Sequence, residues 1–276
     1  LITESGDIGA AYQYDNNGNL YSKAGFTLTE ASDNPETVNI SASPDGYRLF
    51  THDGFNRLTA VSDGNNTYSY EYDGNNRRTA KVINNTRTEY IWDGDCVVAE
   101  KTNGITTVYV RGTKLHYAKT GDTKLYYLYN AHGDVIQTVN SEGVVEDEYL
   151  YDAFGNQIND TVSSNPFRYC GEYQDLCSGL IYLRNRYYDP SIGRFISEDP
   201  AKDGANWYAY CANDPVNRID PTGTTWTYFD SFLPDWAQNR IEQLTADYYA
   251  AGDSLNQYGG YVRNDIHNEA FNLRMQ

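Results

Sequence analysis

Residues 70–82 read YEYDGNNRRTAKV, and this stretch decides the fold. Tyr70 and Tyr72 are separated by one residue, so they lie on the same face of an extended strand. Asp73 then opens a turn, because its side chain can bond to the backbone two residues further on. The glycine and asparagines that follow accept the positive φ angles of hairpin turns. The chain returns through residues 77–82, and the stretch therefore predicts an antiparallel β-hairpin.

The same unit, an aromatic–x–aromatic–Asp followed by a turn rich in Gly and Asn, recurs along the chain. The copies end at Asp15, Asp53, Asp73, Asp93, Asn130 and Asp152, those at Asp53 and Asn130 being weaker. Their successive spacings of 38, 20, 20, 37 and 22 residues indicate a repeat of about 20 residues in which two copies have diverged. A lone hairpin is marginal in water, so these hairpins must join or stack. The aromatic ladder is interpreted as packing, with sugar binding as the alternative.

Composition limits the classes of function. The 276 residues carry 21 Lys+Arg against 38 Asp+Glu, a formal net charge of −17, with 27 Tyr and 23 Gly. Such an acidic chain argues against a nucleic-acid-binding surface and against docking on anionic lipid. It has no run of about 18 apolar residues, so no membrane span is predicted. Because the chain begins with Leu1, we expect a fragment or processed product whose targeting signal lies outside it.

The cysteines and histidines do not form a recognisable metal or cofactor motif, and neither a metal nor a cofactor is predicted. Cys170 and Cys177 could close a short loop in an oxidising compartment. The favoured interpretation is that all four cysteines are small buried side chains. The histidines lack the i, i+4 spacing of a metal-binding helix and are interpreted as turn or surface residues. The residues concerned are Cys96, Cys170, Cys177, Cys211, His52, His116, His132 and His267.

The sequence pattern changes at Asn165. Residues 165–173 read NPFRYCGEY, residues 179–190 read GLIYLRNRYYDP, and residues 213–223 read NDPVNRIDPTG. This segment closely resembles the Rhs repeat-associated core, and the repeats before it resemble the YD repeats of Rhs proteins, teneurins and the C components of insecticidal toxin complexes. The resemblance implies a mainly β fold: antiparallel YD hairpins spiral into a hollow shell, the core segment closes it, and a short α-helical tail follows.

Four prolines in this segment follow an aspartate, and proline holds the residue before it in extended geometry. For Asp189 and Asp214 the interpretation is turn chemistry. In relatives that cleave themselves just past the core, residues matching Arg186, Asp199 and Asp220 form an aspartyl-protease-like site, and the resemblance implies self-cleavage just after Gly223. Two close carboxylates share a proton, which suits acid–base hydrolysis. Many self-cleaving relatives carry Leu after the final Gly, where this chain has Thr224.

Residues 224–276 lack the repeat. An apolar stripe predicts a helix over 231–252, with Pro234 in its first turn and Gly252 at its end, and a second polar, helix-compatible stretch covers 261–275. By position, the resemblance implies the start or remnant of an effector domain. Asp265, His267 and Glu269 lie close together in this tail and are interpreted as part of a solvated polar segment.

These observations predict three regions: YD repeats at 1–164, the core segment at 165–223 and a variable tail at 224–276. The expected function is to carry a C-terminal effector, in cis, within a secreted or surface-delivered bacterial protein. An immunity protein and a delivery machinery are the other expected partners. Two alternatives remain open, a cell-surface adhesion or carbohydrate-binding protein without enzymatic activity, and an enzyme whose catalytic domain is the tail.

Overall fold

The computed structural model describes residues 8–31, 34–63, 65–202 and 204–228. This part of the chain is antiparallel β structure with two single-turn 3₁₀ segments, at Tyr169–Gly171 and Cys211–Asn213, and it contains no α-helix. The largest sheet has 13 strands in sequence order. They are β1 (Ile8–Tyr14), β2 (Leu20–Ala31), β3 (Asn34–His52), β4 (Leu58–Ser62), β5 (Thr67–Tyr72), β6 (Arg78–Ile83), β7 (Thr86–Asp93), β8 (Cys96–Thr102), β9 (Ile105–Arg111), β10 (Leu115–Thr120), β11 (Thr123–Tyr129), β12 (Val135–Val139) and β13 (Val145–Glu148).

The predicted hairpins are confirmed, since each strand of this sheet pairs with the next one along the chain. In the hairpin of β5 and β6, Glu71 lies opposite Ala80. The turn is held as the sequence predicts, because the Asp73 carboxylate accepts the backbone N–H of Asn75 at 2.8 Å and that of Arg77 at 3.0 Å. The same arrangement recurs at the turns that begin with Asp15, Asp53 and Asp152.

One face of the sheet is buried, and two positions of each repeat supply it. The first aromatic of each unit is buried, as is the residue near the start of the strand after the turn, because both point to the same face. The buried first aromatics are Tyr12, Phe50, Tyr70, Tyr90, Tyr109, Tyr127 and Tyr149, and the buried residues after the turn are Leu20, Leu58, Arg78, Val97, Leu115 and Val135. Arg78 is the one polar side chain in the second set.

The second aromatic of a unit links neighbouring repeats by a hydrogen bond. The Tyr72 hydroxyl donates to the Leu58 carbonyl at 2.6 Å, and the Trp92 indole donates to the Arg78 carbonyl at 2.8 Å. Tyr129 and Tyr151 make the equivalent bonds to residues 115 and 135. In one of the diverged copies Arg111 takes this place, donating to the Val97 carbonyl at 3.2 Å. The repeat is therefore retained in hydrogen bonding where its sequence has been lost.

The core segment covers the tyrosine face of the sheet. Its strands are β14 (Tyr173–Gln174), β15 (Ile181–Leu183), β16 (Arg186–Asp189) and β17 (Arg194–Phe195), which form a second sheet, while β18 (Arg218–Ile219) and β19 (Thr227–Tyr228) form a third. Tyr182 and Tyr187 pack among the first aromatics of the early repeats, and Phe167 and Tyr173 pack among those of the later ones. The core of the molecule thus lies between the large sheet and this segment.

Three predictions concern other features. The helices predicted at 231–252 and 261–275, and the cluster at Asp265, lie outside the described residues. All four cysteines are free thiols, and Cys211 is buried while the other three are partly buried. In the part of the chain that is described, no helix is long and apolar enough to cross a membrane.

Candidate functional site

Arg186, Asp199 and Asp220 come together in the core segment from three separate places. Arg186 opens β16, Asp199 follows β17 and precedes a proline, and Asp220 directly follows β18 and precedes another proline. The Arg186 Nη2 atom lies 3.5 Å from Asp199 Oδ2 and 3.7 Å from Asp220 Oδ2. All three side chains are buried. The two carboxylates therefore face one guanidinium nitrogen, and only a small part of each is exposed.

The electrostatics of this group follow from its burial. Burial raises the pKa of Asp220, and the Arg186 charge and backbone N–H donors lower it only in part. Burial likewise lowers the pKa of Arg186, although Asp199 and Asp220 both favour its charged form. Burial therefore favours the protonated form of Asp220, whereas the guanidinium that it shares with Asp199 favours the ionised form.

The chain just beyond Asp220 folds back over the site. Asp220 Oδ1 accepts the backbone N–H of Gly223 at 2.8 Å and that of Thr224 at 3.2 Å. Arg186 Nε donates a short hydrogen bond to the Gly223 carbonyl oxygen. The guanidinium is oriented by a second bond, from Nη1 to the Trp207 carbonyl at 2.7 Å. One arginine thus contacts both carboxylates and the carbonyl of the Gly223–Thr224 peptide bond.

A glycine is required at position 223. Its φ is +71°, in the left-handed region, and a Cβ there would lie 2.6 Å from the Leu183 carbonyl oxygen and 3.1 Å from the Arg186 backbone nitrogen. A side chain at this position would push the turn away from Arg186. The glycine therefore allows the Gly223 carbonyl to approach the guanidinium closely.

A cavity of about 430 Å³ adjoins the three residues. Besides Arg186, Asp199 and Asp220, its walls include Thr224, Thr225 and Trp226. The chain that follows the Gly223 carbonyl therefore borders a space in which water has access to the carboxylates. The site thus combines two buried carboxyl groups, a guanidinium donor on a carbonyl oxygen and space for water, which are groups that peptide hydrolysis can use.

The other aspartates that precede prolines do not join this site. Asp189 is buried and pairs with Lys23 at 3.1 Å, and it also accepts the backbone N–H of Ser191 in its own turn. Asp214 accepts a hydrogen bond from the Asn217 side chain at 2.9 Å. Both aspartates accept hydrogen bonds within their own turns, and Asp189 also links its turn to β2 through Lys23.

Two polar clusters were missed by the sequence analysis. Arg78 and Asp175 form a fully buried ion pair at 2.5 Å, joined by Lys81 at 3.2 Å. The sequence did contain a sign of the Arg78–Asp175 pair, because Arg78 occupies a position where other repeats have Leu or Val. His132 lies in a turn, as predicted, but its partly buried ring contacts Asp134 and Cys170. Because Asp175 is distant from Arg78 in sequence, and Cys170 is distant from His132, no spacing motif could reveal these contacts.

The comparisons agree with this architecture. The family described as teneurin YD-shell matches residues 1–216. The tRNA3(Ser)-specific nuclease WapA of Bacillus spizizenii is 38% identical over 229 residues, covering 76% of this chain and 9% of the relative. The tRNA nuclease WapA of Bacillus subtilis is 33% identical over 228 residues, with the same coverage. The fold of this chain is similar to part of the crystal structure of TcdB2-TccC3, with a TM-score of 0.54 and 21% sequence identity. The match covers 78% of this chain and 14% of that chain.

A β-sheet built from YD hairpins and covered by a core segment defines a YD-shell protein. With the family match over residues 1–216, this chain belongs to the teneurin YD-shell family. It is similar in sequence to the Rhs-type WapA proteins and similar in fold to TcdB2-TccC3. The chain spans about 9% of the length of these curated relatives.

Proposed function

We propose that this chain is the effector-carrying shell of a secreted or surface-delivered Rhs-type toxin. The division into YD repeats at 1–164, a closing segment at 165–223 and a tail at 224–276 belongs to this proposal. The tail is the start or remnant of an effector joined in cis. The proposal is supported by family membership and by relatives that are nucleases. An immunity protein and a delivery machinery would be its partners.

The carrying function has a direct test in the full-length protein. Sequence C-terminal to residue 223 should resist added protease while the shell is folded, and it should be digested once the shell is denatured. Equal digestion in the two states would contradict carriage. The result would instead favour an adhesive function, carried by the outer surface of the sheet.

The second part of the proposal is that the shell cuts its own chain at the Gly223–Thr224 bond. The observation that carries it is the position of Arg186, whose Nε donates to the Gly223 carbonyl while its Nη2 faces Asp199 and Asp220. Cleavage in cis needs no affinity for a separate substrate, because the fold holds the bond in place. One turnover per molecule is enough.

The chemistry is hydrolysis with two carboxyl groups. The ionised carboxylate takes a proton from a water molecule as the water oxygen adds to the Gly223 carbonyl carbon. Arg186 stabilises the negative charge that develops on the carbonyl oxygen. The protonated carboxyl group donates its proton to the Thr224 nitrogen, and the C–N bond breaks. The products are a carboxylate at Gly223 and an amine at Thr224. The proton belongs to the pair of acids, so either aspartate can hold it first.

The test compares the wild-type chain with Asp199→Asn and Asp220→Asn. Each substitution keeps the size of the side chain and removes an acid, so both variants should stay uncut. Asp214→Asn is the matched control, because this aspartate also precedes a proline in the core segment but contacts the nearby Asn217 and Arg218 and not Arg186. It should be cut like the wild type. Cutting that persists in both site variants would assign the reaction to other residues.

A further inference from the structure

A second group of chemically active side chains lies away from the candidate cleavage site, where the turn before β12 meets the core segment. The Nδ1 atom of His132, a carboxylate oxygen of Asp134 and the Sγ atom of Cys170 all lie within 4.8 Å of one another. His132 Nδ1 is 2.9 Å from Asp134 Oδ1 and 3.9 Å from Cys170 Sγ. All three residues are buried or partly buried.

This turn differs from four other repeat turns in the order of its polar residues. At Asp15–Asn19, Asp53–Arg57, Asp73–Arg77 and Asp152–Asn156 the aspartate stands first and an Asn or Arg follows four positions later. Here Asn130 stands first and Asp134 follows. The Asn130 side chain donates to Asp134 Oδ2 at 2.7 Å and accepts its backbone N–H at 2.9 Å. The exchange keeps the turn but moves the carboxylate inward, where only 6% of Asp134 is exposed.

The core segment brings the thiol to this carboxylate. Cys170 has a φ of +52°, which is uncommon for a residue other than glycine. In that conformation its backbone N–H donates to Asp134 Oδ1 at 2.9 Å, so its side chain lies beside the His132 ring. The Tyr210 hydroxyl lies 3.6 Å from Cys170 Sγ on another side. The backbone of both chain segments therefore fixes the positions of the three side chains.

Two neighbours hold the imidazole ring in place. His132 Nδ1 lies 2.9 Å from Asp134 Oδ1, and the centroid of the Tyr169 ring lies 5.5 Å from that of the imidazole. The same nitrogen lies 3.9 Å from the Cys170 thiol. One ring nitrogen of His132 therefore lies close to both the carboxylate and the thiol.

We propose that His132, Asp134 and Cys170 bind one divalent transition-metal ion of the zinc class. A thiolate and an imidazole together favour zinc over magnesium or calcium, which prefer oxygen ligands. Three protein ligands leave a fourth tetrahedral position for water or for the Tyr210 oxygen. Ligand atoms around tetrahedral zinc are about 3.3–3.6 Å apart. The two separations from His132 Nδ1 would each change by about 0.5 Å on binding, and the carboxylate and thiol atoms would move from within 4.8 Å of each other to that spacing.

Such an ion would fasten the late repeats to the core segment. Asp134 and His132 belong to the turn between β11 and β12, whereas Cys170 lies in the 3₁₀ turn at Tyr169–Gly171. Because metal binding requires all three groups in place, its free energy would add to the stability of this junction. The proposal is independent of self-cleavage, since no ligand belongs to the group around Arg186.

The test uses Co²⁺ as the probe, because a cobalt–thiolate bond absorbs strongly in the near ultraviolet. The intact chain is first treated with a chelator and is then titrated with Co²⁺ and afterwards with Zn²⁺. We expect one Co²⁺ per chain, with a thiolate charge-transfer band that Zn²⁺ removes. Cys170→Ser should lose the band, and His132→Gln should weaken Co²⁺ binding by about 10-fold or more. Cys177→Ser, at a partly buried cysteine outside the cluster, is the control and should keep both.

Thermal unfolding supplies a second readout that also detects loss of folding. Zn²⁺ should raise the melting temperature of the wild type and of Cys177→Ser, but not that of Cys170→Ser, provided that the metal-free proteins have matching circular dichroism spectra. A folded wild type that shows neither the band nor the rise would overturn the proposal and leave a His132–Asp134 ion pair only. A band that survives in Cys170→Ser would place the thiolate elsewhere and would also overturn it.

Discussion

We predict that the buried ion pair of Arg78 and Asp175 helps to hold the core segment on the sheet. Asp175 is 0% exposed and Arg78 is 1% exposed. Burial alone would raise the pKa of Asp175, but the charges of Arg78 and Lys81 hold it below its usual range. The Arg78 guanidinium is also surrounded by five tyrosine rings, with centroid distances between 4.6 and 5.9 Å. A buried arginine is tolerated at position 78 because Asp175, on the core segment, supplies the opposite charge.

The perturbation is Asp175→Asn, which keeps the shape of the side chain and removes its charge. Arg78 and Lys81 would then be buried without a counter-ion. Breaking a buried ion pair in this way costs about 3–5 kcal/mol of unfolding free energy. Replacing the whole group with Arg78→Leu, Lys81→Met and Asp175→Leu should instead be close to neutral, because apolar side chains carry no desolvation cost. Leu is the residue found at the equivalent positions 58 and 115.

The assay is urea unfolding, followed by circular dichroism and by fluorescence. Glu71→Gln is the matched control, because Glu71 and Arg87 form an ion pair whose side chains are 50% and 43% exposed. Losing an exposed pair should cost less than about 1 kcal/mol. A cost below about 1 kcal/mol for Asp175→Asn would refute the reasoning. A triple variant as unstable as the single one would refute it as well.

Four further predictions follow from other contacts. Gly223→Ala should slow self-cleavage by about 100-fold, measured as the rate of fragment appearance, because the added Cβ would meet a carbonyl oxygen at 2.6 Å and displace the bond; a wild-type rate would contradict the proposed geometry. Burial lowers the pKa of His52 from its ordinary 6.5 to about 4, so its contribution to stability is complete above pH 6.5 and is lost as the pH falls through 4. Relative to His52→Gln, the wild type should therefore lose stability over that window in unfolding titrations, and parallel pH profiles would count against a ring that stays neutral in the folded state. Tyr129→Phe should cost about 1 kcal/mol in urea unfolding, because it removes the 2.8 Å bond to the Leu115 carbonyl; an unchanged midpoint would show that this link does not stabilise the sheet. Deleting residues 230–276 should leave the urea midpoint unchanged, whereas loss of the folded sheet would show that the tail belongs to its core.

The sheet could be predicted from sequence because its determinants are local. Alternating tyrosines set the buried face, and the aspartate with its glycine and asparagine neighbours sets the turn, so residues 70–82 alone contain the rule. The diverged copies could not be recognised in this way. Arg111 makes the inter-repeat hydrogen bond with a guanidinium in place of a phenol or an indole, and no aromatic pattern reveals that substitution.

The candidate site could be predicted from the sequence only in part. The resemblance to self-cleaving relatives selected Arg186, Asp199 and Asp220, and the structure brings them together. Nothing in the sequence shows that the Gly223 carbonyl lies on Arg186, because that contact depends on how the chain folds back after Asp220. The other clusters were hidden for the same reason, since Arg78 meets Asp175, and His132 meets Cys170, only across the junction of the sheet and the core segment.

The most direct test of the central claim is the intact mass of the purified wild-type chain. In proportion to the 31.3 kDa of the 276 residues, cleavage at Gly223–Thr224 predicts two pieces of about 25 and 6 kDa. The smaller piece should begin with Thr224 when its N-terminus is sequenced. A single uncut chain would contradict self-cleavage, and Arg186, Asp199 and Asp220 would then only stabilise the segment that covers the sheet.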